Sequence, residues 1–175
     1  MDKPVEIKGQ FSYHQGFTLV EMMISLFIIS ILMAIVIPSY QQYERRSSLA
    51  RAQQEMLKIA EQLERHKARN FTYRGFNANY LYKDSAGTVS TEFNATTQRL
   101  NFPLAQTKKF EIVIVDSMNT NPLLTSNDAL GQNWAIRATS MDARNYNLLL
   151  TSTGIRCMNK STITYANCST DGETW

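Results

Sequence analysis

One uninterrupted apolar stretch, residues 17–37, constrains this chain more than any other feature of its sequence. It contains no glycine, no proline and a single charged residue, Glu21. As an α-helix with a rise of ~1.5 Å per residue it would be ~31 Å long, which matches the ~30 Å hydrocarbon core of a bilayer. The stretch therefore predicts a helix that spans a membrane.

The carboxylate of Glu21 makes insertion of such a helix into a membrane less favourable. A carboxylate in an apolar segment costs roughly 2.5–3.5 kcal/mol on insertion scales, and it normally has an identifiable partner. The helix contains no Lys, Arg or His before Arg45. If the chain were cut after Gly16, Phe17 would carry a new α-amine, and Phe17 and Glu21 are four residues apart on one helical face. That amine could reach Glu21 of its own chain or of a neighbouring copy.

This N-terminal segment resembles that of a type IV pilin or pseudopilin. The letters GFTLVE, beginning at Gly16, are followed by the apolar stretch and then by PSYQQY. The resemblance implies that a prepilin peptidase cuts between Gly16 and Phe17 and N-methylates Phe17. It also implies that Glu21 guides docking of the subunit against the N-terminus of one already in the filament. An ordinary single-pass anchor with an incidental glutamate is the alternative.

Length and composition leave room for one modest domain after the apolar helix. The 175 residues allow a head of ~100–110 residues. Lys and Arg number 18 and Asp and Glu number 15, a net charge of +3, which is too small to support nucleic acid as a partner. The sequence has no glycine-rich phosphate loop, no His-x-x-x-His pair and no Gly-x-Ser-x-Gly turn. We therefore expect no enzyme and no cofactor.

Cys157 and Cys168 are the only cysteines. A close pair in an exported chain fits a disulfide, which contributes ~2–3 kcal/mol through loop closure. The alternative is half of a four-ligand metal site, but the only histidines are His14 and His66 and no second ligand pair exists. We therefore predict a disulfide and no metal. Aligned with minor pilins over LLLTSTGIR, the family's cysteine just before that strand falls at Tyr146, and the pair here comes after the turn instead, so this bridge departs from the usual one.

The membrane topology is predicted differently by charge and by resemblance. Residues 1–16 are polar and lack the apolar core of a secretory signal peptide, so they are expected to be a cytoplasmic leader. Arg45, Arg46 and Arg51 follow the apolar helix, and a positive-inside count would place the C-terminus in the cytoplasm. The family implies a single-pass inner-membrane protein with a periplasmic head, later part of an extracellular pilus of a Gram-negative bacterium. The cysteine pair agrees with the family.

The helix is expected to continue beyond Pro38 as an amphipathic half. Pro38 predicts a kink or local melting at residues 36–39, between a filament-core half at 17–43 and an amphipathic half at 44–70. Apolar residues recur there at intervals of three and four, which predicts a helix lying on a globular domain. They are Leu49, Ala52, Met56, Ile59, Ala60 and Leu63.

Five cationic or titratable residues cluster where this helix should end: Arg65, His66, Lys67, Arg69 and Arg74. They could contact DNA or lipid. The simpler interpretation, which we favour, is cations that complement the dipole at a helix C-terminus. The segment AEQLERHKARNFTYRGF, which contains all five of these residues, also resembles the corresponding region of minor pilins.

The rest of the chain predicts an α+β fold. Residues 71–108 are rich in Asn, Thr, Ser and Ala and predict an exposed, irregular loop with anchoring aromatics. Residues 109–175 predict an antiparallel sheet of three or four strands laid against the helix, including 110–115, 134–139 and 145–151. The loop closed by the cysteines contains Lys160, Tyr165 and Asn167 and, by resemblance, lies at an exposed edge that faces partners.

Two classes of function follow. The favoured one is a minor pilin, a structural subunit that contributes to pilus assembly and hence to motility, adhesion or DNA uptake. The resemblance implies as partners other pilins through the N-terminal helix, prepilin peptidase, the inner membrane and the pilus assembly machinery. Within the same class, a type II secretion pseudopilin is disfavoured by the cysteine pair and by the lack of an acidic calcium loop. A membrane-anchored receptor for DNA or surfaces is the other class.

Overall fold

The computed structural model describes residues 16–83, 86–118 and 120–175. Apart from Gly16, the leader predicted at 1–16 lies outside these residues. The chain forms two compact units, divided between Gln42 and Tyr43. Its elements are helix α1 (Leu19–Asn70), a 3₁₀ helix (Ala78–Tyr82) and strands β1 (Phe93–Asn94), β2 (Arg99–Phe102), β3 (Phe110–Asp116), β4 (Trp134–Ser140), β5 (Asn147–Thr151), β6 (Arg156–Asn159) and β7 (Glu173–Thr174).

The first unit consists, in its described part, of the apolar portion of α1. Among the described residues, one helix is long and apolar enough to cross a membrane by length and composition, with a mean hydropathy of 2.7 over its best window. Helical structure continues without interruption through Pro38. The predicted local melting at 36–39 is therefore wrong. Large apolar side chains along this stretch are exposed.

The second unit confirms the predicted α+β fold, but its sheet is larger than expected. Seven antiparallel strands lie side by side in chain order, each paired with the next. The three predicted strands correspond to β3, β4 and β5, each with bounds one or two residues different. Strands β1 and β2 lie in the segment predicted to be irregular, so that expectation is wrong in part. Two-residue strands carry too little alternation to be recognised in a sequence.

The main core lies between α1 and one face of the sheet. Ala52, Met56, Ile59 and Leu63 of the predicted stripe are fully buried. They pack in one cluster with Phe110, Ile112 and Ile114 of β3 and with residues of β4 and β5. The predicted alternation of β3 is thus confirmed, since every second residue of the strand points to one face.

Two aromatic residues anchor the segment between α1 and β2, as predicted, although they reach the helix as well as the sheet. The rings of Tyr82 and Phe93 stack with centroids 4.9 Å apart, and both are buried. The Tyr82 hydroxyl donates to Glu55 Oε1 of α1 at 2.8 Å. Burial and the neighbouring Glu55 carboxylate raise the pKa of Tyr82 strongly. The phenol therefore stays protonated and keeps its hydrogen bond.

A second apolar cluster covers the opposite face of the sheet. Val113, Val115, Ala135 and Leu149 pack there against Ile163 and Cys168 of the C-terminal loop. Cys157 and Cys168 form the predicted disulfide, with their Cα atoms 6.0 Å apart. The loop lies over this face of the sheet through Ile163, which is only 2% exposed. Lys160 and Asn167 of the loop are exposed, and a partner-facing role stays a prediction. The sheet is consequently buried on both faces, which explains why β3 is apolar at nearly every position.

We predict that replacing both cysteines with serine lowers the free energy of unfolding of the head by about 2.8 kcal/mol, the loop-closure value for the 11-residue separation. The reason is that the open loop gains entropy in the unfolded chain and no longer holds Ile163 over the sheet. Urea unfolding of the full chain in detergent, followed by tryptophan fluorescence, measures the change. Thr162→Ala, at an exposed position of the same loop, is the control and should shift stability by less than ~0.5 kcal/mol. Equal urea midpoints for the double cysteine variant and for Thr162→Ala would contradict the prediction.

Candidate functional site

The N-terminal end of α1 carries the residues that the sequence singled out. The helix begins at Leu19, and the Thr18 hydroxyl oxygen accepts a hydrogen bond from the Glu21 backbone N at 3.2 Å. Thr18 followed three residues later by Glu is a capping-box spacing. The cap was not among the predictions for this helix, although the letters TLVE display it. The backbone N–H of Glu21 thus takes part in the helix cap, and the docking role of its carboxylate stays a prediction.

Glu21 is exposed, and its surroundings offer no positive charge. Between Gly16 and Gln42 the sequence has no Lys, Arg or His, so no cationic side chain of the described part of the first unit can pair with it. Phe17 precedes the first helical residue and is 75% exposed. The structure thus brings Gly16, Phe17 and Glu21 to one helix end, within two turns of each other, in a segment that has no other charged side chain.

Gly16 lies in an exposed, non-helical stretch. No heavy atom lies within 4 Å of the position that a Cβ on Gly16 would occupy. An exposed segment without regular structure is the kind of site at which chains are cut, because its backbone is accessible. The peptide bond between Gly16 and Phe17 therefore meets the steric requirement for processing.

Comparison with known proteins finds relatives of the N-terminal segment. Residues 11–37 match the model of the prokaryotic N-terminal methylation motif. Three curated relatives, each a type IV major fimbrial protein FimA of Dichelobacter nodosus, are 52% identical to the chain over 44 residues. The N-terminal segment is thus similar to that of type IV fimbrial proteins. The matched part is 25% of this chain and 28% of each relative, so the chain spans less than a third of the length of the relatives it matches. No solved structure matches it.

The match bears on two further predictions. The relatives are fimbrial proteins by name, in agreement with the prediction of a structural subunit. Gly16, Phe17 and Glu21 all fall within the matched residues 11–37. Among the described residues, no group of three or more His, Cys, Asp or Glu side chains is arranged to hold a metal ion.

The basic end of α1 forms a cleft of about 200 Å³, lined by Gln62, Arg65, His66, Arg69, Asn70 and Tyr80. The lining contains no carboxylate. The Tyr80 hydroxyl donates to Gln62 Oε1 at 3.2 Å, which leaves the Gln62 amide nitrogen available as a donor. Burial raises the pKa of Tyr80, opposed by the charges of Arg69 and Arg65. Tyr80 comes from the 3₁₀ helix, and no periodic pattern in the sequence indicates that it joins this cluster.

Most of the basic residues at this end are already engaged within the fold. Arg65 pairs with Glu61, the Lys67 ammonium lies 4.6 Å from the centroid of the Tyr73 ring, and Arg74 Nη2 donates to the Asn127 carbonyl at 2.9 Å. His66 Nε2 is 3.2 Å from the Arg74 carbonyl oxygen. These contacts favour a structural role for the cluster.

Proposed function

We propose that this chain is a pilin, a minor structural subunit of a type IV pilus. The observation that carries the proposal is the N-terminal methylation motif at 11–37, placed at the start of a helix whose apolar side chains are exposed. An exposed apolar helix of this length is soluble only in lipid or in a bundle of similar helices. A subunit that is first anchored in the inner membrane and then packed into a filament core satisfies both conditions in turn.

Processing creates the partner that Glu21 lacks. Hydrolysis of the peptide bond between Gly16 and Phe17 by a prepilin peptidase releases the leader and leaves an amine on Phe17, which is then methylated. A methylated secondary amine remains basic and cationic at neutral pH. In the filament this cation from one subunit lies beside Glu21 of a neighbour, so that two groups that are costly alone in an apolar phase neutralise each other.

The periplasmic placement of the head is supported by the disulfide. Bridges between cysteines persist in oxidising compartments and are rare in the cytosol, and Cys157 is bonded to Cys168. The leader and the catalytic face of the peptidase would then lie on the cytoplasmic side, with one membrane crossing between leader and head.

N-terminal mass analysis of the membrane-extracted chain tests the proposal. The expected product begins at Phe17 and carries one added methyl group on its α-amine. Gly16→Leu places a large side chain directly before the cut. This variant should therefore accumulate as the uncut chain. A mature protein that retains residues 1–16 would overturn the proposal.

A surface or DNA receptor is the second candidate, favoured by the carboxylate-free cleft at the basic end of α1. Neutralising Arg65, Lys67, Arg69 and Arg74 together distinguishes the two functions. Loss of binding to an oligonucleotide with normal piliation supports the receptor. Loss of fibres, with no direct binding by the unsubstituted protein, supports the subunit. A type II secretion pseudopilin would be recognised in a strain that lacks the protein. Supplying the chain to that strain would restore protein secretion and not pili.

A further inference from the structure

The chain contains four Asn-x-Ser/Thr triplets, the pattern at which a sugar is attached to an asparagine amide in exported proteins. Their asparagines are Asn70, Asn94, Asn159 and Asn167, and none of the triplets has proline in the middle. A pattern of three residues also arises by chance, so the fold has to show which of these amides an enzyme can use. The chemistry requires an accessible triplet, a free amide nitrogen and a free hydroxyl at the third residue.

Three of the four triplets are held within the fold. The Asn70 Nδ2 group donates to the His66 carbonyl at 3.0 Å in the last turn of α1. Asn159 is only 8% exposed, and its Nδ2 group donates to the Cys168 carbonyl at 2.8 Å. Asn167 is exposed, but Cys168, the middle residue of its triplet, is buried against the sheet as part of the disulfide. An enzyme would have to open local structure before it could bind any of these three triplets.

Asn94 meets all three requirements. It is the last residue of β1, at one edge of the sheet, and every residue of its triplet is exposed or half-buried. Asn94 Oδ1 accepts hydrogen bonds from the backbone N of Thr96 and of Thr97, both at 3.0 Å. These bonds hold the amide by its oxygen. Among the described residues, the Asn94 Nδ2 group and the Thr96 hydroxyl have no hydrogen-bond partner, so both are available to an enzyme.

Glu92, two residues before Asn94, adds a negative charge beside this triplet. None of the other three triplets has Asp or Glu at the corresponding position. Glu92 is half-buried and forms no ion pair with any other described residue. Its carboxylate can therefore accept a two-point contact from an arginine of an enzyme bound at Asn94. The segment thus presents a carboxylate, an amide and a hydroxyl at every second residue from Glu92 to Thr96.

We propose that Asn94 is the acceptor of an N-linked oligosaccharide, added in the periplasm after the head is exported. The inference rests on the proposed periplasmic placement of the head. The second substrate is an oligosaccharide linked through pyrophosphate to a membrane lipid. The Asn94 Nδ2 nitrogen bonds to the anomeric carbon of the sugar while the bond from that carbon to the pyrophosphate oxygen breaks. The lipid pyrophosphate leaves with the electron pair, and a base of the transferase takes one amide proton.

Mass spectrometry of the full chain, extracted from the membranes and fibres of the cells that produce it, tests the proposal. Trypsin releases Asn94 in the peptide 84–99, between the cuts after Lys83 and Arg99. We expect this peptide to carry the added mass of an oligosaccharide. Electron-transfer fragmentation leaves a sugar on its residue, and it should place the sugar on Asn94 and not on a serine or threonine of the same peptide. The intact mass of the same sample reports the N-terminus of the chain.

Three variants and one control isolate the acceptor. Asn94→Gln should lose the sugar, and so should Thr96→Val, which keeps the shape of threonine but has no hydroxyl. Thr96→Ser retains the hydroxyl and should remain modified. Asn167→Gln changes the exposed asparagine of another triplet. It is the matched control and should leave the sugar on the peptide 84–99.

Three results would overturn the proposal: an unmodified peptide 84–99, a sugar on another residue in place of Asn94, or a sugar that persists in Thr96→Val. The intact mass separates this failure from that of the proposed function. A chain that begins at Phe17 and carries no sugar overturns the glycosylation alone, whereas a chain that retains residues 1–16 overturns the proposed function.

Discussion

Replacing Glu21 with glutamine is expected to leave membrane insertion intact and to reduce incorporation into pili about ten- to a hundredfold. The loss follows from the removal of one charge-assisted contact, worth roughly 1.5–3 kcal/mol, at a tenfold change per 1.4 kcal/mol. Insertion does not suffer, because a carboxylate in an apolar helix is itself unfavourable. The fraction of the variant in sheared fibres, relative to the membrane pool, measures the effect.

Glutamine also separates the charge of Glu21 from the helix cap. The cap uses the backbone N of residue 21, and a capping box accepts Gln as readily as Glu, so the variant keeps the helix start while losing the charge. Thr18→Ala does the reverse, since it removes the hydroxyl that accepts from the Glu21 backbone N. Glu61→Gln, an exposed carboxylate further along the same helix, is the control for charge loss. Normal incorporation of Glu21→Gln together with failure of Thr18→Ala would assign the residue to capping alone.

Gly131→Ala is expected to destabilise the head by about 2–5 kcal/mol, the sum of left-handed backbone strain and overpacking. Gly131 has φ of +68°, and an added Cβ would lie 2.4 Å from both the Arg74 backbone N and Thr72 Oγ1. The Gly131 carbonyl accepts from the Tyr73 backbone N at 2.8 Å, and its own N donates to the buried Asp116 at 2.7 Å. The substitution therefore forces apart the chain that follows α1 and the chain that precedes β4.

Gly154→Ala is the matched control for this effect. Gly154 has φ of +90° in the turn between β5 and β6, but nothing lies within 4 Å of an added Cβ. It should cost only the backbone strain, ~1–2 kcal/mol. Thermal unfolding of both variants, measured by near-ultraviolet circular dichroism in detergent, gives the comparison. Equal losses would show that the contacts of Gly131 with residues 72–74 do not matter.

The sequence predicted those elements that are long and regular. The apolar stretch, the stripe on α1 and strands β3 to β5 have periodicities that repeat several times, so local pattern is sufficient for them. The capping box at Thr18 was within reach of the same reasoning but was not predicted. The predicted local melting at Pro38 was wrong because a proline removes only one backbone hydrogen bond, and the rest of the helix stays formed without it.

Other features depend on residues far apart in the chain. Glu64 of α1 accepts hydrogen bonds from the Tyr73 hydroxyl at 2.8 Å and from Trp134 Nε1 at 3.1 Å, and Trp134 is 70 residues away. A cleft of about 210 Å³ likewise unites Arg45 with Lys108 and Asp142. Such sets are defined by the order of strands in the sheet, which no local periodicity encodes.

The two outermost strands, β1 and β7, have two residues each. The edges of the sheet are therefore short. They expose few free backbone amides and carbonyls with which a strand of a neighbouring sheet could pair. In the proposed fibre, neighbouring heads would therefore gain little from pairing their sheets edge to edge. Cohesion between copies would then depend on side-chain contacts, which substitution can tune without altering the architecture of the subunit.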